Sequence, residues 1–297
     1  MMSPSEPTRS TTALVVGHVT HDRFGTRLRA GGSAFYGARA MRSLGARPRL
    51  VSTVGVDFER HEELHGLEML LTVRDRTTTF ENSYSVERKR VQRVGAVGGA
   101  VTPRSLPLEW RKADVLFLAP VIGEVDARVW LDAVEAPLVG LGLQGFLKAV
   151  GQPEGLVRPV VPRRFELTDD ELARVSVVIL SDEDLAELGS DDLLERLRRV
   201  VPVVVLTEGA RGSRVWTRSR SYDVGTFPVV ARDPTGAGDV YAAAFLVALS
   251  QGAPPGDAAL LASAAASIVV EEEGALALER LGESRERAAV VPLETAC

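Results

Sequence analysis

The stretch Asp233-Pro234-Thr235-Gly236-Ala237-Gly238-Asp239 stands directly before an apolar run, Val240–Leu249, that has the composition of a buried helix. Small residues at a helix start let backbone N–H groups converge on one point, where the positive end of the helix dipole adds to them. Such a point binds anions, most often phosphate. Asp239 falls in the first turn, where its carboxylate can accept the proton of an attacking hydroxyl. The stretch therefore predicts a kinase site, with backbone 236–238 binding the phosphoryl group.

A glycine-rich turn followed by Asp also makes an ordinary helix start, because Asp stabilises any helix N-terminus. The order Asp-x-Thr-Gly-Ala-Gly-Asp is more demanding, since it fixes a polar turn, two glycines and an acid at set offsets. This order resembles the C-terminal signature of the PfkB, or ribokinase-like, carbohydrate kinases. The resemblance implies that Asp239 is the catalytic base and that Thr235, Gly236 and Gly238 also contact the nucleotide.

Composition excludes several classes of function. The chain has 297 residues with 40 acidic and 35 basic side chains, so its formal net charge is −5. No block of Lys and Arg interleaved with aromatic residues occurs, and nucleic acid is therefore not expected as a partner. The only cysteine, Cys297, excludes an internal disulfide and suits a reducing cytoplasm. No apolar run has the length of a membrane span, and Met1–Thr12 is polar, so we expect a loose tail there.

The rest of the sequence alternates between short β-branched runs and helical patterns. The runs are Ala13–Val19, Arg49–Val54, Ala113–Pro120, Pro137–Leu143, Val175–Leu180 and Val201–Leu206. Such runs are typical of strands buried on both faces of a parallel sheet. The alternation predicts an α/β fold, a doubly wound and mainly parallel sheet with helices on both faces. Because no repeat or linker divides the sequence, residues 13–297 form one predicted domain.

From Met69–Val73 onward through Thr77–Arg93, β-branched residues instead alternate with charged ones. Thr26–Ala30 predicts a short strand, and Thr77–Arg93 predicts strands with one solvated side. In the ribokinase-like family a few strands project from the main domain and cover the sugar, which excludes water from the transfer. That resemblance implies a small β lid from about 24–32 and 77–101. Asn82 within it is a predicted contact to substrate, and a turn role for this residue stays open.

Polar residues and glycines follow the predicted strands where an open α/β sheet collects ligands. Asp22 comes after the first strand, and Gly31-Gly32 opens a predicted helix, Ala34–Leu44. A glycine pair at a helix start lets backbone approach a ligand closely. Both features resemble the N-terminal signature of the family, and the resemblance implies that Asp22, Gly31 and Gly32 contact the substrate. Gln144 follows another strand and is a further candidate, while an ordinary turn role for Asp22 stays open.

Two positions depart from the family pattern. Many sugar kinases of the family carry Asn four positions after the second glycine, where this chain has Tyr36, so ribose specificity is not implied. After the strand Val175–Leu180 the family commonly shows Asn-x-x-Glu, which assists Mg²⁺ near the phosphates. Ser181 and Asp184 replace both residues here. The resemblance leaves Asp184 as the candidate metal residue, acting through a metal-bound water.

A glycine-containing loop follows the run Val201–Leu206. Its residues Thr207, Gly209 and Gly212 resemble the family's Thr-x-Gly-x-x-Gly loop on the nucleotide side, although a hairpin turn would account for the glycines as well. Downstream, the small residues of Ala262–Ser267 would let a flat adenine lie close, or would let two helices pack closely. These segments form the predicted nucleotide site.

The segment His61-Glu62-Glu63-Leu64-His65 matches the His-Glu-x-x-His pattern of zinc peptidases. In those enzymes the two His lie one turn apart on a helix and bind the metal. Here the predicted helix, Asp57–Gly66, has barely two turns, and no His follows it. We therefore expect a solvated helix face and not a zinc site.

The opening Gly17-His18-Val19 and the Gln144-Gly145-Phe146 segment make the resemblance strongest to the myo-inositol kinase branch of the family. The resemblance implies transfer of the γ-phosphoryl group from ATP, with Mg²⁺, to a hydroxyl of a small sugar or polyol. It is compatible with a homodimer.

Two other functions stay open. A nucleoside kinase would have the same fold and chemistry, and the aromatic residues Phe35, Tyr36 and Tyr84 offer a surface for a base. A non-catalytic binding protein is suggested only by the altered Ser181–Asp184 segment. Such a protein would be expected to lose the base, whereas Asp239 is present.

Overall fold

The computed structural model of the protein describes residues 10–84, 90–153, 155, 158–188 and 192–290, and for 82–84 and 90–91 the backbone only. Most of the predicted tail, residues 1–9, lies outside the described residues, and so does Cys297. The first strand begins at Thr12, one residue earlier than predicted.

The described residues contain fifteen strands and eight α-helices. The strands are β1 (Thr12–Val16), β2 (Thr20–Phe24), β3 (Arg27–Gly31), β4 (Arg47–Gly55), β5 (Glu68–Arg74), β6 (Thr79–Tyr84), β7 (Arg90–Ala96), β8 (Val115–Leu118), β9 (Leu138–Gly142), β10 (Lys148–Val150), β11 (Arg158–Pro162), β12 (Val177–Ser181), β13 (Val203–Thr207), β14 (Ser213–Thr217) and β15 (Ser221–Val224). The helices are α1 (Ser33–Ser43), α2 (Ala127–Ala133), α3 (Asp169–Leu172), α4 (Asp182–Leu188), α5 (Asp192–Val200), α6 (Ala237–Ser250), α7 (Pro255–Val269) and α8 (Ser284–Ala288). Within these residues, no helix is both long and apolar enough to cross a bilayer.

Nine of these strands form one sheet in the order β15-β14-β13-β12-β9-β8-β1-β4-β5. The strands from β13 to β5 run parallel, whereas β14 and β15 are antiparallel. The chain runs outward from β1 in both directions, so the strand order reverses between β1 and β8. The predicted doubly wound, mainly parallel sheet is confirmed.

The inner strands of this sheet, such as β1 and β8, are buried on both faces, since successive side chains point to opposite sides and an apolar layer covers each side. In β1, Ala13 and Val15 pack in one apolar layer with α1, α6 and α7, while Leu14 and Val16 pack in the other with α2 and α5. Helix α6 is buried from Val240 to Ala248. This double burial explains why the strands read as continuous apolar runs.

A second sheet has the order β10-β11-β7-β6-β2-β3. The segments expected to form a lid supply β3, β6 and β7. Strand β2 was not predicted, and the proline-rich stretch 151–162, whose composition predicts irregular structure, contains β11. In β11, Val160 and Val161 pair with β10, and the two prolines lie near the ends of the strand, where a missing N–H is tolerated.

Two further predictions were wrong. The helix expected over 57–66 is a single 3₁₀ turn, His61–Leu64, because the carboxylate of Asp57 accepts hydrogen bonds from the backbone and hydroxyl of Thr77 at 2.7 and 2.8 Å. Asp57 is thereby held on the chain that enters the second sheet. The composition of 222–230 predicts a short strand through the whole segment, but β15 ends at Val224, where the chain leaves the sheet and Gly225 accepts a hydrogen bond from Ser263.

His18 joins the two sheets. Its buried ring contacts the segments just before and just after the β6–β7 hairpin. Nε2 lies 2.7 Å from the carbonyl of Gly99, and Nδ1 lies 2.8 Å from the hydroxyl of Thr78. A carbonyl can only accept, so Nε2 carries the hydrogen of the bond to Gly99. Glu124 accepts the backbone N–H of His18 at 3.0 Å. The base of the second sheet, where it joins the main sheet, is therefore held by hydrogen bonds as well as by packing.

We expect His18→Leu to lower the free energy of unfolding by about 2–4 kcal/mol, because Thr78 and Gly99 lose their buried partner. Chemical denaturation measures the change. The control is His65→Leu, at an exposed position, for which we expect a change within about 0.5 kcal/mol. Equal stability of the two variants would contradict a structural role for the His18 ring.

Candidate active site

The Asp233–Asp239 stretch is a turn followed by the start of α6. Gly236 has a left-handed conformation with φ 80°, and the helix begins at Ala237, three residues earlier than the predicted apolar run. The N–H of Ala237 donates to the carbonyl of Pro234 at 3.2 Å, while helix geometry gives the N–H of Gly238 no acceptor inside the helix. Asp239 is the third residue of α6. The first turn of a fourteen-residue helix thus presents backbone N–H groups and one carboxylate together.

Tyr36 of α1 packs against this turn. A Cβ atom on Gly236 would lie 2.4 Å from the Tyr36 ring, so the turn and the ring are in closest contact. Tyr36 is 2% exposed, and its burial, together with the charges of Asp22, Asp233 and Asp239, raises its pKa above the ordinary value. The hydroxyl therefore stays protonated at neutral pH and is available as a donor.

A polar cleft of about 420 Å³, counting its open mouth, lies beside the turn. It brings together six predicted residues, Asp22, Gly32, Gln144, Thr235, Gly236 and Asp239. Sequence reasoning missed Thr20, Ser33, Phe80, Gln92 and Val121, which also line it. One signal was present for Thr20, since it stands two residues before Asp22 and faces the same side of a strand.

The two glycines before α1 have different roles. A Cβ on Gly31 would lie 2.3 Å from the carboxylate of Asp22, so Gly31 makes room for that side chain and does not itself line the cleft. Gly32 has φ 95° and lies against the carbonyl of His18. The Asp22 carboxylate accepts the hydroxyl hydrogen of Thr20 at 2.9 Å. Asn82 lies in β6, but its side chain is outside the described part of the structure.

A central passage continues from the polar cleft along the carboxyl ends of the parallel strands. Ser33, Gln144 and Asp239 line both spaces. Thr207, Gly238 and Asp184 line the passage farther on. Asp239 therefore stands between two separate binding spaces.

An apolar pocket lies beyond the passage and has about 1130 Å³, counting its open mouth. Of the predicted nucleotide residues, Thr207, Gly209, Gly212 and Gly238 line it, whereas Thr235 and Gly236 line the polar cleft. Ala266 and Ser267 of α7 form one wall. Sequence reasoning missed another part of the lining, which is formed by Thr226, Phe227, Pro228, Val229 and Ala231.

Asp184 lies in the passage, but its carboxylate has other partners. It accepts the hydroxyl and backbone N–H of Ser181 at 2.7 and 3.3 Å, and Ser181 accepts the N–H of Asp184 in return. This reciprocal pair caps α4. The buried amine of Lys148 lies 3.7 Å from the same carboxylate. Within the described residues no three His, Cys, Asp or Glu side chains are grouped to hold a metal, so these contacts do not favour the predicted metal role.

The chain matches the family model described as pfkB family carbohydrate kinase over residues 156–280. It is 27% identical to an inositol 3-kinase of Arabidopsis thaliana over 88% of this chain and 74% of the relative. It is 38% identical to a nucleoside kinase of Methanocaldococcus jannaschii over a shorter stretch, 31% of this chain and 29% of the relative.

Solved structures share the whole fold. A pyrophosphate-dependent kinase of the ribokinase family, complexed with a pyrophosphate analog and myo-inositol, matches 91% of this chain and 99% of its own with TM-score 0.74 and 21% identity. A ribokinase of Arabidopsis thaliana complexed with ribose and ATP matches 95% and 100% with TM-score 0.70 and 17% identity. The fold is thus that of the ribokinase-like kinases. Together these similarities indicate a phosphotransferase with an alcohol group as acceptor, and residues 156–280 carry the match to the pfkB carbohydrate kinases.

We expect Gly236→Ala to destabilise the protein by about 1–3 kcal/mol, because the methyl group meets the Tyr36 ring and the left-handed backbone is strained by a side chain. Gly238→Ala is the matched control, since its Cβ would find no atom within 4 Å. We expect its stability to stay within about 0.5 kcal/mol of the parent. Unfolding of both variants without ligands measures the difference, and equal stabilities would contradict the close contact.

Proposed function

We propose that the protein is an ATP-dependent kinase that transfers the γ-phosphoryl group to a hydroxyl of a small polyol of the inositol type. One observation carries this proposal: Asp239, in the first turn of α6, lines both the polar cleft and the passage to the apolar pocket. A base at the junction of two binding spaces can act on a hydroxyl from one side and on a phosphoryl group from the other.

The lining of the polar cleft supports a polyol as acceptor. Asp22 and Asp239 offer carboxylate oxygens, Gln92 and Gln144 offer amides, and Ser33 a hydroxyl. A ring that carries a hydroxyl on every carbon would satisfy such a set, whereas a nucleoside base would need a larger apolar surface than Phe80, Val121 and Tyr36 supply. The inositol 3-kinase and the inositol-bound structure among the similar proteins agree with this choice.

The second sheet supports the role of a lid. Thr20, Asp22, Phe80 and Gln92 line the polar cleft from β2, β6 and β7, while the rest of the lining comes from the main sheet and its helices. We therefore propose a single kinase domain whose second sheet covers the acceptor. Exclusion of water by such a cover would suppress hydrolysis of the donor.

The mechanism follows from the arrangement. Asp239 accepts the proton of one acceptor hydroxyl, and the oxygen of that hydroxyl forms a bond to the γ-phosphorus while the bond to the leaving oxygen of ADP breaks. The backbone N–H groups of Gly236 and Gly238 and the positive end of α6 stabilise the charge on the phosphoryl oxygens, whereas the N–H of Ala237 already donates to Pro234. Asp22 and Gln144 orient the acceptor.

The apolar pocket supports a nucleotide as donor. Phe227, Pro228 and Val229 on one wall and Ala266 on the other form a slot lined by carbon atoms, which suits an adenine ring. Pyrophosphate has no group to fill it. Mg²⁺ enters the proposal only as the companion of the donor phosphates, since the described residues present no carboxylate cluster for it.

We expect Asp239→Asn to lower kcat by about 10²- to 10⁴-fold, because the amide cannot accept the proton. The assay is ATP consumption with Mg²⁺ against inositols, hexoses, ribose and nucleosides. Asp257→Asn is the matched control: Asp257 is likewise the third residue of a long helix, α7, but it is exposed. A variant at 239 that keeps most of the activity would exclude Asp239 as the base, and turnover of nucleosides alone would identify a nucleoside kinase.

We expect Ala266→Met to raise KM for ATP by about tenfold, because the longer side chain takes up part of the adenine slot and removes roughly 1.4 kcal/mol of binding. KM for the acceptor should not change. Ala289→Met, at an exposed position, is the control. If the variant at 266 and the control have the same KM for ATP, or if pyrophosphate supports turnover equally well, the adenine assignment is wrong.

A further inference from the structure

We propose that Arg29 is a positioning residue for phosphoryl transfer, which links the edge strand of the second sheet to the turn before α6. The role in transfer rests on the proposed function, whereas the link itself does not. The contact between Arg29 and Asp233 carries the proposal, with Nη1 of Arg29 3.2 Å from Oδ2 of Asp233.

Asp233 is the buried anchor of the turn. Its carboxylate accepts the backbone N–H of Thr235 at 3.0 Å and that of Gly274 at 3.0 Å. Burial by itself would raise the pKa of Asp233, but the hydrogen bonds from Thr235 and Gly274 and the charge of Arg29 outweigh it and hold the pKa below its ordinary value. The residue is therefore a carboxylate at neutral pH, and it needs a cation to balance it.

Arg29 supplies that cation from the second sheet. It lies on β3, the edge strand, directly opposite Asp22 of β2. Its guanidinium also pairs with Glu273 at 2.5 Å and lies 5.4 Å from the centre of the Phe24 ring. The side chain is 23% exposed, so its position is fixed on several sides.

The β2–β3 pair thus places one side chain at the polar cleft and another at the turn before α6. Asp22 points to the polar cleft, and Arg29, its partner in register, reaches the turn that holds Gly236 and Asp239. A displacement of the second sheet moves both groups together. We infer that the turn takes its working conformation when the second sheet lies over the cleft, so that transfer is coupled to coverage of the acceptor.

Arg27 provides a matched control on the same strand. Its Nη1 lies 3.4 Å from Glu273, so it shares one partner with Arg29, and its side chain is 71% exposed. Comparison of Arg27→Met with Arg29→Met therefore separates loss of the Glu273 contact from loss of the Asp233 contact.

The first test needs no substrate. Hydrogen exchange of the segment 233–239, followed by mass spectrometry, is compared in the parent, Arg29→Met and Arg27→Met. We expect about tenfold faster exchange for Arg29→Met and no change for Arg27→Met. Unchanged exchange in Arg29→Met, or equal acceleration in both variants, overturns the proposal, even if no acceptor is ever found.

The second test uses the acceptor with the best turnover. We expect Arg29→Met to lower kcat by about 10- to 100-fold with less than about a twofold change in KM for the acceptor, because bound groups are misaligned and not lost. Arg29→Lys should recover a large part of kcat, since it keeps a charge near Asp233. A rise in KM with unchanged kcat, or no recovery with Lys, would show that Arg29 acts only in binding or in stability.

Discussion

The close contact between Gly236 and the ring of Tyr36 sets the geometry on which the site depends. The backbone of Gly236 lies so close to the ring of Tyr36 that no side chain would fit at position 236. This contact fixes the height of the turn above α1 and so decides where α6 begins and where the carboxylate of Asp239 lies. The Tyr residue that distinguishes this chain from many sugar kinases therefore packs directly against the turn before α6.

The sequence was sufficient to predict those parts of the structure that depend on residues near one another in the chain. The parallel sheet could be predicted because double burial makes each strand apolar throughout. The turn before α6 could be predicted because its glycines, its acid and the apolar helix that follows are all contiguous in the chain. Strand β2 was missed because its Thr20 and Asp22 face a ligand cleft, so its pattern is polar where a core strand would be apolar.

Other features depend on partners far away in the chain. The role of His18 requires Thr78 and Gly99, 60 and 81 residues later, and no local pattern contains that information. The apolar wall of Phe227–Val229 reads as the continuation of a strand, because side chains that face a ligand pocket have the same composition as side chains that face a core. Asp184 was read by position against a family pattern, and only the structure places Ser181 and Lys148 beside it.

The polar cleft and the apolar pocket are lined mostly by different parts of the chain. The polar cleft takes most of its lining from residues before 145, while the apolar pocket takes all of its lining from residues after 206, within the segment that the family model matches, 156–280. Only the turn at 235–239 crosses this division. Substitutions before residue 145 can therefore change the lining of the polar cleft while the lining of the apolar pocket stays the same.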